Sequence, residues 1–147
     1  MKAKAFLHTI DNERIVAAIR AAEARSRGEI RVHVARRKVD DAQAEAVKTF
    51  EKLGMAATAE RTGVLFFVAP ESQRFAVIGD KGVNEKCGDA FWREVADAAA
   101  AAFREGRFSD GIVAAVGRLG DLLAEHFPPR AGQADKDELS NDVTEDT

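Results

Sequence analysis

Cysteine is almost missing from this sequence of 147 residues, in which Cys87 is the only one. A single cysteine can form no internal disulfide and cannot supply a cysteine-based zinc site. Long apolar runs are missing too: no stretch approaches the roughly 20 apolar residues that a membrane helix needs. The basic N-terminal segment, residues 1–8, also lacks an apolar stretch long enough for a signal peptide. We therefore expect a cytoplasmic protein without a membrane span.

A strong excess of charge is missing as well, since the formal net charge is only −3. Six acidic residues and one lysine give residues 131–147 a net charge of −5, which leaves about +2 for the rest of the chain. A nearly neutral body gives no electrostatic reason to expect a nucleic-acid partner. The polar, acidic composition predicts a disordered tail over residues 131–147, and residues 1–130 are expected to form one domain.

The most informative segment that is present runs from Arg61 to Trp92. It contains two apolar runs, residues 64–69 and 75–78, on either side of a short polar turn at residues 71–73. This spacing predicts an antiparallel hairpin. The first run is apolar throughout, which is typical of a strand covered on both faces.

The remaining pattern predicts helices around this hairpin and one more strand. Helices are expected from about residue 9 or 11 to Gly28, where glycine would form a left-handed C-cap, and over about 41–53, 89–103 and 109–127. Residues 29–35 alternate between polar and apolar, which indicates a half-buried strand at the edge of the sheet. The helix at 41–53 joins it to the next strand, so these two strands should be parallel. The order predicts an α/β fold, a three-layer α/β/α sandwich whose small mixed sheet contains a central antiparallel hairpin.

A hairpin returns the chain to its starting end, so the loops at residues 58–62 and 79–89 should face each other. Between them they carry four carboxylates: Glu60, Asp80, Glu85 and Asp89. Carboxylate oxygens are the ligands that Ca²⁺ and Mg²⁺ prefer, and a metal held there could polarise a phosphoryl oxygen or activate water. The alternative is structural: Asp89 caps a helix, while Asp80 and Glu85 are solvated turn residues paired with neighbouring lysines.

Two other patterns suggest chemistry less strongly. Cys87 and Arg93 have the Cys-x5-Arg spacing of cysteine-dependent phosphatases, which need a thiolate of low pKa at a helix N-terminus. Asp89 would put a negative charge inside that phosphate cradle, so a coincidental cysteine is the preferred interpretation. Gly79 and Gly82 frame a tight turn, but no Gly-Lys-Ser/Thr follows, so the segment is not a nucleotide-binding loop.

Several motifs in order resemble the TPM domain family. They are Leu53-Gly54-Met55, the segment 61–92, and Phe103-x-x-Gly106-x-Phe108-x-x-Gly111-Ile112, and the resemblance spans roughly residues 15–127. The family includes plant thylakoid-lumen proteins linked to photosystem II repair and described as acid phosphatases, and this chain looks most like a short, soluble bacterial subgroup. The resemblance implies a sheet between helices, with the site in the two loops that flank the hairpin.

The resemblance implies a weak, metal-assisted phosphomonoester hydrolase. In that interpretation the catalytic residues are Asp80, Asp89 and Arg61: the two aspartates hold a divalent cation, Ca²⁺ or Mg²⁺, and Arg61 orients the phosphate. Glu85 or Glu60 would complete the metal site. Many relatives have an acidic pair where this chain has Arg61-Thr62, and a cation at that position should weaken metal binding by repulsion. The alternative is a non-catalytic module that uses the same loop surface to bind a protein partner.

Overall fold

The computed structural model describes residues 1–58, 60–129 and 143–145, and these contain a four-stranded mixed sheet of order β3-β2-β1-β4. The strands are β1 (Glu29–Val34), β2 (Gly63–Ala69), β3 (Arg74–Gly79) and β4 (Thr144–Glu145). Strands β1 and β2 are parallel, β2 and β3 form an antiparallel hairpin, and β4 runs parallel to the end of β1. The predicted parallel pair and hairpin are both confirmed, with β2 central and β3 at the side of the sheet.

Six helices surround the sheet in the described part of the chain. They are α1 (Ala3–Thr9), α2 (Asn12–Ala24), α3 (Ala42–Lys52), α4 (Lys81–Lys86), α5 (Asp89–Arg104) and α6 (Phe108–His126). Helices α1 and α4 were not predicted, because each is too short to repeat an apolar period. Among the described residues, none of the helices combines the length and apolar character needed to cross a bilayer.

Two hydrophobic cores, one on each face of the sheet, create the three layers. On one face, side chains of α2, α5 and α6 pack against Ile30, Val32 and Phe66. On the other face, α3 packs against the sheet, with Phe50 in contact with the cluster around Leu65. Strand β2 is buried at every position because both faces are covered. The predicted α/β/α sandwich is confirmed.

Strand β1 differs from the prediction of a half-buried edge strand. Its polar side chains Glu29, Arg31 and His33 are buried like their apolar neighbours, with exposed fractions of 5%, 8% and 3%. His33 stacks on Phe67 at a ring distance of 5.9 Å, and its Nδ1 lies 2.8 Å from Oγ1 of Thr144 in β4. The edge prediction is therefore wrong at the end of β1, where β4 pairs with it. Polar and apolar side chains do alternate along β1, but the polar ones contact other protein groups rather than water.

The acidic tail is described only at residues 143–145. There Thr144–Glu145 forms β4, and Glu145 makes an ion pair with Arg36. For these residues the structure has a short strand where the sequence predicted disorder. Residues 130–142 and 146–147, and with them the predicted domain boundary, lie outside the described residues.

The end of α2 also differs from its prediction. The helix begins as expected, with the Asp11 carboxylate accepting the Arg14 N–H at 3.1 Å, but it ends at Ala24 rather than Gly28. Gly28 is not in the left-handed region; instead a Cβ there would lie 2.7 Å from Cδ1 of Leu123. The Leu123 side chain of α6, rather than a helix cap, fills the space beside this glycine and would have to shift to admit a Cβ.

Candidate functional site

The two predicted loops do meet at one end of the hairpin. The Asp80 N–H donates to the Gly63 carbonyl at 2.8 Å, and the Gly82 N–H donates to the Arg61 carbonyl at 2.9 Å. A Cβ on Gly82 would lie 2.6 Å from that same carbonyl oxygen, so only glycine allows this approach. The segment after β3 therefore packs directly on the loop before β2.

Threonine hydrogen bonds give the loop before β2 its shape. The Thr62 N–H donates to Thr58 Oγ1 at 3.0 Å, and the Thr62 hydroxyl donates to the Arg27 carbonyl at 3.0 Å. Both threonines are buried. Between them Arg61 has a φ of 55°, in the left-handed region that non-glycine residues rarely adopt. This turn aims the Arg61 side chain at the start of α4.

Arg61 and Asp80 form the best-defined pair of the site. Arg61 Nε lies 2.7 Å from Asp80 Oδ2, and Arg61 Nη2 lies 2.8 Å from Asp80 Oδ1, a two-pronged geometry that combines charge with direction. Asp80 is also the N-cap of α4, where its Oδ1 accepts the Lys81 N–H at 2.8 Å. Both carboxylate oxygens of this buried residue are therefore engaged.

The surroundings of Asp80 keep it ionised. Burial alone raises the Asp80 pKa, but the hydrogen bonds from Arg61 and from the Lys81 N–H, together with the Arg61 charge, outweigh it. The net pKa lies below the ordinary value of 3.8. The hydrogen bond and charge of Asp80 raise the pKa of Arg61 in turn. The pair is fully charged at neutral pH.

The other three carboxylates predicted for the site point to other partners or to solvent. Glu60 Oε2 accepts a hydrogen bond from Arg27 Nε at 2.8 Å. Glu85 is exposed, and its Oε1 lies 4.0 Å from Nζ of Lys81. Asp89 is exposed in the first turn of α5, whose N-cap is Gly88, so the predicted capping role of Asp89 is wrong.

As arranged, these side chains do not fit a divalent cation. Throughout residues 1–58, 60–129 and 143–145, no three His, Cys, Asp or Glu side chains come together as metal ligands. Asp80 is the best placed of the four, and its oxygens already accept hydrogen bonds from Arg61 and the Lys81 N–H. A metal ion at Asp80 would have to displace the guanidinium and would be repelled by it.

A cleft of about 480 Å³ opens beside the ion pair, between α3, the end of β3 and the start of α5. Its lining includes Val47, Glu51, Arg61, Gly79, Asn84 and Trp92. Trp92 forms a wall of the cleft because Gly79 leaves room for it: a Cβ there would lie 2.5 Å from the indole. Asn84 closes the other side, with its Nδ2 donating to the Gly79 carbonyl at 2.9 Å. The cleft thus combines apolar walls with one arginine.

Cys87 does not have the environment of a catalytic thiolate. It is 6% exposed and is the C-cap of α4. Burial and the negative charge of Glu125 raise its pKa, and the nearby Lys86 offsets this only in part. The side chain is therefore a neutral thiol, in agreement with a coincidental Cys-x5-Arg spacing.

Sequence reasoning missed three parts of this site. It did not place Trp92, which packs against the core, in the wall of a cleft as well, it did not pair Glu60 with Arg27, and it read the start of α4 as a loop. An N-cap residue, Asp80, directly before a short polar segment is the signal that could have identified α4. No comparable signal exists for the Arg27 pair, whose partner lies 33 positions away.

The chain is similar to a known family and to several solved structures. The family model described as the TPM domain matches residues 2–122. The BA42 protein from the psychrophilic bacterium Bizionia argentinensis is 36% identical, with a TM-score of 0.85 over 94% of this chain and 96% of its own. No curated protein matches.

More distant structures share the fold alone. The N-terminal domain of the cg2496 protein from Corynebacterium glutamicum is 19% identical, with a TM-score of 0.62 over 79% of this chain and 75% of its own. The N-terminal domain of a protein from P. gingivalis is 17% identical, with a TM-score of 0.62 over 80% of this chain and 78% of its own. With the family match over most of its length, this chain belongs to the TPM domain family.

Proposed function

We propose that this TPM domain is a non-catalytic binding module and that its cleft contacts a protein partner. The observation that carries the proposal is the Arg61–Asp80 pair, in which the carboxylate best placed for a metal is already bonded to a guanidinium. Hydrolysis assisted by a metal needs free carboxylate ligands, and the side chains predicted for that role diverge. The pair instead holds Arg61 in a fixed position at the cleft.

The composition of the cleft suits a protein partner. Two of the five guanidinium N–H groups of Arg61 are used by Asp80, so three remain for a partner's carbonyl or carboxylate oxygens. The Arg61 side chain is 48% exposed. Trp92 and the exposed Val47 supply apolar area nearby. Arginine and tryptophan side by side are typical of the residues that dominate protein interfaces.

A photo-crosslinking amino acid at position 84 tests this proposal. Asn84 is exposed at the cleft, whereas Ala114 on α6 is exposed outside its lining and provides the matched control. We expect position 84, but not 114, to crosslink one discrete protein in cells. The product should be lost when Arg61→Ala is added. Equal crosslinking from both positions, or a product unaffected by Arg61→Ala, would contradict the cleft as the binding surface.

The second candidate is the metal-assisted phosphomonoester hydrolase. It is favoured by the ionised state of Asp80 at the cleft, since a carboxylate of low pKa is the form that a cation requires. Turnover of p-nitrophenyl phosphate in the presence of Mg²⁺ or Ca²⁺ separates the two candidates. The binding module predicts no turnover above that of Asp80→Asn, whereas the hydrolase requires turnover that this substitution abolishes.

A further inference from the structure

Strand β3 is an open edge of the sheet. Within the described residues it pairs with β2 on one side and with no strand on the other. Its six residues, Arg74–Gly79, include no proline, and its register with β2 runs unbroken from Ala69↔Arg74 to Val64↔Gly79. Natural proteins normally protect such edges with proline, bulges or several charges, because an open edge can pair with another strand. Arg74, at its first position, is the one charged residue of this strand.

The hydrogen bonds identify which backbone groups face outward. Asp80 donates its N–H to Gly63 in the direction of β2. Because backbone groups alternate along an antiparallel strand, Ile78 and Ala76 also face β2, while Gly79, Val77 and Phe75 face the open side. The Gly79 carbonyl accepts a hydrogen bond from Asn84. The N–H and C=O groups of Phe75 and Val77 have no such partner within residues 1–58, 60–129 and 143–145.

We propose that a second copy of this chain pairs with β3 in antiparallel fashion, across a two-fold axis beside Ala76. In that register Phe75 lies opposite Val77 of the partner subunit, and Val77 lies opposite the partner subunit's Phe75. Each opposed pair exchanges two hydrogen bonds, so the four bonds satisfy all four open groups of each copy. The Gly79 carbonyl, which already accepts a hydrogen bond from Asn84, makes no hydrogen bond across this interface. The two sheets would then form one continuous sheet.

A second copy fits this edge better than an unrelated peptide because the edge is complementary to itself. The axis passes beside Ala76, whose small side chain allows close approach. On one face of the sheet the partly buried Phe75 would meet the partner's Val77, an apolar cross-strand contact. On the other face Val47, a large apolar side chain that is 46% exposed, continues the apolar surface onto α3.

The charge at the start of β3 also has an opposite charge near it under this axis. Arg74 begins the strand, and antiparallel pairing brings it opposite the partner's Ile78. The cleft around Ile78 also contains Glu51 of α3. The guanidinium of Arg74 would therefore lie near the partner's Glu51, at the mouth of the partner's cleft. Dimerisation would add a second arginine to each cleft.

Molar mass and amide exchange together test the dimer without any substitution. Light scattering across a range of concentrations should show the mass rising from 15.9 kDa towards twice that value. In the same range the amides of Phe75 and Val77 should become protected from hydrogen exchange. The amide of Ala76, which faces β2, should be protected at every concentration. A mass of 15.9 kDa throughout, with rapid exchange at Phe75 and Val77, would overturn the proposal.

A charge exchange tests the register. Arg74→Glu should weaken self-association by about tenfold or more, because it places a carboxylate near the partner's Glu51. The double variant Arg74→Glu, Glu51→Arg should restore self-association. Both residues are exposed, and because Arg74→Glu also removes the 2.7 Å hydrogen bond from Arg74 Nη1 to the Asp40 carbonyl, thermal denaturation of Arg74→Ala measures the cost of that loss alone. Loss without rescue would overturn this register. Protection of Phe75 and Val77 that appears only on adding a synthetic extended peptide, with the mass of the protein itself unchanged, would overturn a second copy as the occupant.

Discussion

At the scale of single residues, the ion pair between Arg61 and Asp80 decides how this site is understood. Arg61 places a guanidinium against Asp80, and the remaining acids turn to Arg27, to Lys81 or to solvent. The sequence predicted that Arg61 and Asp80 lie in facing loops, because hairpin geometry fixes where loops meet. It could not predict the ion pair itself, since that depends on the left-handed φ of Arg61 and on the direction of its side chain.

The Asp80 carboxylate has two roles that two substitutions separate. Asp80→Asn removes the charge but keeps a side chain that caps α4 well, whereas Asp80→Ala removes both. We expect Asp80→Ala to lower the free energy of unfolding by about 1 kcal/mol more than Asp80→Asn does. Urea denaturation of the three proteins measures this difference. Equal losses would show that the cap contributes nothing.

The stability of the pair should depend on pH in one direction. Because the folded pKa of Asp80 lies below 3.8, the unfolded chain binds more protons at acidic pH. The contribution of the Arg61–Asp80 pair to the free energy of unfolding is complete above pH 3.8 and is lost as the pH falls through the lower folded pKa. Wild type should therefore lose more stability than Asp80→Asn on acidification below pH 3.8, as followed by thermal denaturation. Parallel curves for the two proteins would argue against a charged pair.

The Cys87 thiol should be unreactive in the folded protein. Its raised pKa and its burial both disfavour the thiolate that reacts with disulfide reagents. Labelling with a thiol-specific chromogenic disulfide at neutral pH should be slow, and it should become fast in denaturant. Rapid labelling of the native protein would reopen the thiol-phosphatase interpretation.

At the scale of elements, the long and strongly patterned pieces were predictable and the short ones were not. Strand β2 follows from its apolar run, and helix α3 lies within the helix expected over about residues 41–53. Helix α4 and strand β4 have too few residues to show a period, and their positions depend on contacts distant in sequence. Strand β1 shows a further limit, because an alternating pattern does not reveal whether its polar side meets water or buried partners.

Gly82 and Gly117 provide a matched test of how α4 holds the site. Both are helical, but a Cβ on Gly82 would meet the Arg61 carbonyl at 2.6 Å, whereas a Cβ on Gly117 would meet nothing within 4 Å. Gly82→Ala should cost about 1–3 kcal/mol of unfolding free energy through overpacking. Gly117→Ala should instead stabilise by about 0.5–1 kcal/mol through helix propensity.

Denaturation and an NMR spectrum check this pair of substitutions. Gly82→Ala should also shift the Arg61 side-chain signal, because the loop before β2 must move away from α4. A stability change of the same sign for both glycines would contradict the close approach of these two segments.

At the scale of the whole molecule, the fold carries a cleft at one end of the hairpin and an open edge beside it. The sandwich and the meeting of the two loops could be predicted, because burial patterns determine the layers and the hairpin determines which loops meet. The chemistry of the cleft could not, because membership of the TPM domain family describes the scaffold, whereas the Arg61–Asp80 pair depends on the direction of individual side chains. The same scaffold can thus serve different functions through a few loop residues.

The most direct test follows the Arg61 Nε–H signal by NMR while Mg²⁺ and then Ca²⁺ are added to the wild-type protein. The binding-module account predicts that this signal, from a proton hydrogen-bonded to Asp80, stays unchanged through both titrations. Asp80→Asn should shift the signal in the absence of any metal. Saturable loss of the Arg61 signal on adding either ion, with shifts at Asp80 that Asp80→Asn abolishes, would contradict the account and support a metal site.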